Sequence, residues 1–272
     1  MRIEGLSVSC QRTGSAVISA TSSPLPLGFN LLCSEGTGGV AVTEKMTMRL
    51  SLLKRIKRMV FTLILRELFL GGRKSRVTRL SAKFVFKIFE SYPEAKLYRS
   101  REQLWKTFKN HLQNSEWVGF EFGVASGDAT RTFLKMSYIN NCLQWNGFDT
   151  FLGLPTAWGD LPQGAFSTNG RPPEIDNPIV KWHIGLIENT CLQINSLDYL
   201  DKNFVVIFDF DLYSATKSAW DQISKFLKPG DIIYFDEAYE ADEERIINEI
   251  QLSNLQLEIL GYTVMGIAYK II

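Results

Sequence analysis

The second half of the chain alternates short apolar runs with segments of helical periodicity, and this alternation constrains the fold more than any other feature. Predicted strands cover residues 117–122, 143–148, 179–184, 204–208 and 231–235, and predicted helices cover 128–136, 214–227 and 240–252. Residues 257–260 and 264–271 complete the pattern as an antiparallel pair of strands. The sequence therefore predicts an α/β fold with a doubly wound, Rossmann-like sheet of seven mostly parallel strands.

Composition divides the chain into three parts. Residues 1–47 are rich in serine, glycine and threonine and lack periodicity, which predicts a disordered leader. Residues 48–99 form a basic segment with two predicted helices, at 48–70 and at about 76–91. Residues 100–272 form the α/β domain, which begins with a predicted helix that Ser100 caps.

The charge is distributed unevenly, although the whole chain carries only +1. Residues 1–110 have a balance of +13 and residues 111–272 a balance of −12. The acidic α/β domain argues against nucleic acid as a substrate, because phosphate binding needs a basic surface. With only two histidines, His111 and His183, a histidine-rich zinc site is excluded.

The segment 48–70 is a basic amphipathic helix in the sequence pattern. Leucine and isoleucine recur at helical spacing, and the opposite face carries Arg49, Lys54, Arg55, Lys57 and Arg58. Such a helix can make peripheral contact with an anionic membrane. Alternatively, it packs on the α/β domain or on a second copy of the chain, which would make a homodimer. No apolar run is long enough to span a membrane and no secretory leader is present, so the expected location is cytoplasmic.

A glycine turn follows the first predicted strand. In EFGVASG (residues 121–127), Gly123 and Gly127 let the backbone approach a ligand closely. The following helix would direct its free N–H groups towards an anion, such as the carboxylate of an amino acid. Ala125 takes the place of the central glycine of a dinucleotide fingerprint, which argues against a nicotinamide-dependent oxidoreductase.

The second predicted strand ends near Asp149, and a long loop follows. An acidic residue about 20 positions after a glycine turn commonly binds the hydroxyl groups of a ribose. The segment 151–177 is long for a loop in a compact domain, and such loops are often functional. We interpret it as a lid that contacts the substrate, and the alternative is a disordered insertion.

Acidic residues follow the fourth and fifth predicted strands. Asp209 and Asp211 come after residues 204–208, and Asp236 and Glu237 come after residues 231–235. If these strands are neighbours, the carboxylates converge and need a cation, for which Mg²⁺ with oxygen ligands is suited. Alternatively, Asp211 or Ser214 caps the helix that follows.

Taken in order, several motifs resemble the macrocin O-methyltransferase family of bacterial sugar methylases, a class I family that is related to metal-dependent catechol-type enzymes. The resemblance covers roughly residues 100–272. The motifs are EFGVASG (121–127), FDTFLGLP (148–155), GAFS (164–167), HIG (183–185), FDFDLYSATK (208–217) and LKPGDIIYFDE (227–237).

The resemblance implies a site for S-adenosyl-L-methionine and a divalent cation such as Mg²⁺. The cofactor residues would be Glu121, Gly123 and Gly127 for the methionine part, Asp149 for the ribose, and Gly185 and Leu186 beside the adenine. The cation would be held by Asp209, Asp236 and Glu237. Many relatives have two aspartates where this chain has Asp236 and Glu237, and a glutamate reaches farther.

The predicted activity is methylation of a hydroxyl group of a sugar in a glycan, a glycolipid or a natural product. Asp209 is the candidate for a combined metal ligand and catalytic base, and His183 is its rival as base. The alternative function is a non-catalytic protein that keeps the methyltransferase fold and is tethered by its basic N-terminal helix.

Overall fold

In a computed structural model of the chain, the structure describes residues 76–112, 115–194, 201–251 and 255–272. The predicted leader, 1–47, and the predicted helix 48–70 lie outside the described residues. The described residues form one seven-stranded sheet in the order β3-β2-β1-β4-β5-β7-β6. The pairs among β1 to β5 are parallel, and β7 is antiparallel to both β5 and β6. The predicted fold class is confirmed.

The strands and helices follow the predicted boundaries closely. The strands are β1 (Trp117–Phe122), β2 (Cys142–Asp149), β3 (Val180–Ile184), β4 (Asn203–Phe208), β5 (Ile232–Phe235), β6 (Leu257–Tyr262) and β7 (Ile267–Ile271). The α-helices are α1 (Arg76–Ser91), α2 (Arg101–Trp105), α3 (Lys109–Leu112), α4 (Asp128–Phe133), α5 (Ile187–Thr190), α6 (Tyr213–Ile223) and α7 (Ala241–Gln251). Ser100 caps α2, since its side chain accepts a hydrogen bond from the Gln103 N–H at 3.3 Å.

Two helices are shorter than predicted. The predicted helix 128–136 ends at Phe133, and the predicted helix 214–227 ends at Ile223. In each case the chain continues as a tight turn, in which Met136 N–H donates to Phe133 and Phe226 N–H donates to Ile223. Bonds between residues three apart belong to a narrower turn than the α-helix, so the apolar spacing continues beyond the α-helix itself.

The sheet has a hydrophobic layer on each face, because successive side chains of a strand point to opposite sides. In β4, Val205 and Ile207 lie on one face, and Val206 and Phe208 lie on the other. The first layer contains residues of α2, α3 and α4, and the second contains residues of α1, α5, α6 and α7. Helices therefore cover both faces, as a doubly wound sheet requires.

The sheet order reverses between β1 and β4, which places the switch point there. Four strands end at nearly the same level, since Phe122 pairs with Phe148 and Phe208, Phe208 pairs with Phe235, and β2 continues by one residue to Asp149. The residues that follow these strands therefore leave the sheet at one edge. Among the described residues, no helix has the length and apolar character needed to cross a bilayer.

Candidate active site

A cavity of about 360 Å³ opens at the carboxyl ends of the parallel strands, within the size range of small-molecule sites. Most of the predicted site residues line it. These are Glu121, Gly123, Asp149, Gly185, Leu186, Asp209, Asp236 and Glu237. Gly127 is not among the lining residues. The structure therefore brings together eight of the nine predicted positions, whereas their chemical roles remain predictions.

The glycine turn needs its glycines for packing. Gly123 has a φ of +93°, and a Cβ atom there would overlap the backbone carbonyl of Asp209. Gly127 has a φ of +82°, and its Cβ atom would lie 2.7 Å from Cγ of Pro173, in the loop after β2. Gly123 thus lets two strands approach each other at the switch point, and Gly127 lets the long loop pack on the start of α4.

Asp149 ends β2 and holds the glycine turn in place. Its Oδ2 accepts the N–H groups of Val124 and Ala125 at 2.9 and 2.8 Å, and its Oδ1 accepts the N–H of Phe151 at 2.7 Å. A carboxylate has about four acceptor positions, so three backbone donors leave room for one more. Asp149 therefore organises the turn and can still accept a hydroxyl group from the cavity.

Glu121 is a buried acid at the base of the cavity, only 1% exposed. Its Oε2 accepts hydrogen bonds from Thr130 Oγ1 and, at 2.8 Å, from Trp145 Nε1. Its Oε1 is buried and has no hydrogen-bond partner among the described residues. Burial raises the pKa of Glu121 to about 7. A buried acceptor without a partner suits a ligand that brings its own donor.

The segment 151–177 is an ordered loop, held by backbone hydrogen bonds within it. The alternative interpretation as a disordered insertion does not apply to it. Leu154 N–H donates to Ala165 at 2.9 Å, and Thr168 N–H donates to Phe151 at 3.0 Å. The ring of Phe151 is fully buried. Leu154 and Phe166 line the cavity, and Phe166 is 53% exposed. The segment forms an apolar wall of the cavity, and substrate contact stays a prediction.

Four acids from the ends of β4 and β5 meet in the cavity, but they form two groups. Carboxylate oxygens of Asp209, Asp211 and Glu237 all lie within 4.8 Å of one another. Asp236 is instead bound by Arg101, whose Nη1 lies 2.7 Å from its Oδ2, and by the Tyr234 hydroxyl, which donates to its Oδ1 at 2.6 Å. No motif in the sequence marks Arg101 as a site residue.

The alternative interpretation of Asp211 as a helix cap is wrong. The N-cap residue of α6 is Leu212, and no side chain caps it from that position. Instead, Asp242 of α7 accepts the N–H of Tyr213 at 3.1 Å, so the start of α6 is satisfied from another helix. Asp211, with a φ of +64°, is 7% exposed and lines the cavity. Ser214 also lines the cavity, within the first turn of α6.

The same fold occurs in a structurally characterised methyltransferase. The structure of CalS11, a calicheamicin methyltransferase, matches with a TM-score of 0.52 and 19% identity, over 73% of this chain and 94% of that one. The chain has a methyltransferase fold. The apo structure of CalS11, a TDP-rhamnose 3'-O-methyltransferase, gives a TM-score of 0.46 and 18% identity, over 73% of this chain and 96% of that one. No protein-family model matches the sequence, and the comparison with curated proteins gives no match.

In this methyltransferase fold, the acids at the ends of β4 and β5 fit a hard divalent cation. Burial and the neighbouring Asp236 raise the pKa of Asp209 well above its usual range. Burial and Asp209 do the same for the pKa of Glu237, and burial and Asp236 raise the pKa of Asp211 to about 7. Oε2 of Glu237 is buried without a partner in the described part of the chain. Mg²⁺ or a similar ion binds such closely spaced, negatively charged carboxylate oxygens and offsets their mutual repulsion.

His183, the rival candidate base, packs against β2. It does not belong to the residues that line the cavity, its ring stacks on Phe148 at 4.3 Å between centroids, and its Nε2 lies 3.1 Å from Oδ1 of Asn146. Burial lowers the pKa of His183. Its contacts are those of a packing residue, and Asp209 is the better placed of the two candidate bases.

Proposed function

We propose that the chain is an S-adenosyl-L-methionine-dependent O-methyltransferase that methylates a hydroxyl group of a sugar. One observation carries this proposal. A single cavity at the switch point of a methyltransferase fold is lined by the glycine turn, by Asp149 as the predicted ribose ligand, and by the carboxylate cluster. The motifs of the macrocin O-methyltransferase family support the sugar as acceptor. CalS11, with which the fold is shared, is itself a calicheamicin methyltransferase.

The cavity offers one surface to the cofactor and another to the acceptor of the methyl group. Gly123, Asp149 and Gly185 lie on the side of β1 to β3, where the cofactor would bind. Asp209 and Glu237 lie at β4 and β5, where the acceptor hydroxyl would bind. Positioning alone can lower a barrier by several kcal/mol, up to about 7–11 kcal/mol in ideal cases.

Asp209 is the proposed catalytic base. S-adenosyl-L-methionine supplies an electrophilic methyl group, so the residues of the chain need only orient the acceptor and remove one proton. The hydroxyl proton passes to a carboxylate oxygen of Asp209 as the oxygen–carbon bond forms and the sulfur–carbon bond breaks.

The proposed divalent cation would be held by Asp209 and Glu237, together with a third acid. The family resemblance implies Asp236 as that third ligand, and the arrangement of the oxygens favours Asp211. A cation on the acceptor hydroxyl would lower the pKa of that hydroxyl. Such a cation would assist the same proton transfer for which Asp209 is the proposed base.

A methyl-transfer screen of the full chain tests the proposal. Sugar nucleotides and glycans are offered with S-adenosyl-L-methionine, in Mg²⁺ and in EDTA, and methylated products are detected by mass spectrometry. We expect a methyl group on a sugar hydroxyl and a loss of rate in EDTA. Calorimetric titration with S-adenosyl-L-methionine separates the enzyme from the tethered scaffold. An enzyme should release or absorb heat as the cofactor binds, and the absence of heat would contradict the proposal.

A further inference from the structure

Arg101 brings a positive charge into a cavity that is otherwise lined by acids. It is the first residue of α2, directly after the capping residue Ser100. Among the described residues that line the cavity, it is the only lysine or arginine. The opposing charges include Glu121, Asp209 and Glu237. The positive charge of Arg101 therefore lies beside the acids of the cavity.

The helix itself does not explain an arginine at this position. The N-terminus of a helix carries a partial positive charge, so a cation in the first turn is unfavourable and an anion is favourable. Glu102, the next residue, follows that rule, whereas Arg101 opposes it. The contacts of Arg101 outside the helix must then account for its placement.

Those contacts are directed at the acids of β4 and β5. Nη1 of Arg101 lies 2.7 Å from Oδ2 of Asp236 and 3.5 Å from Oδ2 of Asp209. Its guanidinium lies over the ring of Trp105, at 5.1 Å from the centroid. The Tyr234 hydroxyl holds the other oxygen of Asp236 at 2.6 Å. Both oxygens of Asp236 are thus engaged by protein donors.

We propose that Arg101 is a built-in counter-cation of this cluster, and that it competes with a divalent cation for Asp209 and Asp236. The inference rests on the divalent-cation part of the proposed function. A cation held by Asp209 and Asp236 would lie close to the guanidinium, and like charges at short range repel. While Arg101 holds Oδ2 of Asp236, a cation on that carboxylate would have the guanidinium as its neighbour, so Arg101 weakens the binding of the cation there.

This competition accounts for the two groups into which the acids divide. With Arg101 on Asp236, the oxygens that converge are those of Asp209, Asp211 and Glu237. When Arg101 moves away, Oδ2 of Asp236 loses its ion pair and becomes available to a cation, while the Tyr234 hydroxyl keeps Oδ1. Arg101 therefore sets how tightly the cluster holds a divalent cation and which acids take part.

Cation binding to the full chain tests the inference without cofactor, acceptor or turnover. Mn²⁺ is titrated calorimetrically into the wild type, Arg101→Gln, Arg101→Lys and Arg99→Gln. We expect Arg101→Gln to bind Mn²⁺ roughly tenfold or more tightly, the order that Coulomb's law gives for charges of +1 and +2 about 5 Å apart in a water-like dielectric. Arg101→Lys keeps the charge and should stay within a few-fold of the wild type. Arg99→Gln removes an exposed charge two positions away and should change nothing.

Equal or weaker affinity in Arg101→Gln than in the wild type would overturn the inference, and so would the absence of measurable binding to both proteins. If Arg101→Gln does not fold, nitrogen-15 NMR of the arginine Nε groups in the wild type gives the answer. The Arg101 signal is assigned by its loss in Arg101→Lys, and it should shift as Mg²⁺ is added. A signal that stays unchanged at high Mg²⁺ would equally overturn the inference. Methyl transfer enters neither measurement, so an inactive enzyme would contradict the proposed function alone.

Discussion

The backbone carbonyl of Asp209 occupies the space that a Cβ atom on Gly123 would need. Gly123 follows β1 and Asp209 follows β4, so the absence of a side chain on Gly123 lets the two strands come close at the switch point. The strands are also tied there by the N–H of Asp209, which donates to Phe122 at 2.8 Å. A single missing side chain thus sets the distance between the predicted cofactor turn and the candidate base.

Gly123→Ala should destabilise the protein and weaken cofactor binding. The new methyl group meets backbone, which cannot move aside as a flexible side chain would, and the φ of +93° strains any other residue. We expect a loss of about 2–4 kcal/mol in the free energy of unfolding, measured by urea denaturation. Gly164→Ala is the matched control, since Gly164 has a φ of +81° but no atom within 4 Å of its added Cβ. Equal losses in both variants would contradict the packing argument.

Asp149→Ala should loosen the glycine turn. Three backbone N–H groups, of Val124, Ala125 and Phe151, lose a charged acceptor at once. Because water replaces part of these bonds, we expect a loss of about 2–4 kcal/mol in the free energy of unfolding. Calorimetry should also show weaker binding of S-adenosyl-L-methionine. Asp160→Ala, which removes an exposed acid in the next loop, should behave as wild type. Unchanged stability in Asp149→Ala would show that the turn does not depend on this carboxylate.

The sheet could be predicted from the sequence because its strands are continuous apolar runs between polar turns. The central strands β1 and β4 lie within one residue of the predicted bounds, and the polar residues that follow them meet at one edge. Parallel pairing alone requires this convergence, whatever the side chains are. The prediction that Asp149, Asp209 and Glu237 share one site follows from that geometry.

Contacts that depend on the tertiary path of the chain could not be predicted. Arg101 precedes Asp209 by 108 positions and belongs to a different element, so no sequence spacing relates them. The one indication in the sequence that Arg101 has a special role is its place in the first turn of a predicted helix, where the helix dipole disfavours a cation. For Asp211 a local rule was misleading: an acid before a helix usually caps it, and here Asp242 from α7 binds the helix start instead.

Asp209→Asn should lower turnover by orders of magnitude and leave cofactor binding nearly intact. The amide has the same shape, and Asp236 still holds Arg101 at 2.7 Å, but the amide cannot take a proton from the acceptor hydroxyl. General-base catalysis commonly contributes on the order of 10²–10⁴ in rate, and we expect a loss of kcat of that size. The affinity for S-adenosyl-L-methionine should stay within about threefold of wild type, less than 1 kcal/mol. Asp221→Asn, at an exposed acid paired with Lys217, is the control. A wild-type kcat in Asp209→Asn would remove Asp209 from the mechanism.

Glu243 is a buried acid behind the cluster that the proposed reaction does not use. It lies on α7, is 1% exposed, and accepts the Thr216 hydroxyl at 3.2 Å on Oε1. Its Oε2 is buried and lacks a partner among the residues that the structure describes. Burial raises the pKa of Glu243 to about 8, and the charges of Asp211 and Asp236 add to that effect. The folded chain therefore holds a proton at Glu243 that the unfolded chain releases near its ordinary pKa of about 4.3.

Glu243→Gln should make the stability of the protein less dependent on pH. In the wild type, this group stabilises the folded state fully below about pH 4.3, and that stabilisation is lost as the pH rises towards about 8. Glutamine is neutral at every pH and can still accept the Thr216 hydroxyl. Between pH 5 and pH 8, the fall in the free energy of unfolding should be smaller in the variant by on the order of 2–4 kcal/mol. Urea denaturation in EDTA at four pH values measures it, with the exposed Glu90→Gln as a control that keeps the wild-type slope. A free energy of unfolding that falls as steeply with pH in Glu243→Gln as in the wild type would contradict a raised pKa of Glu243.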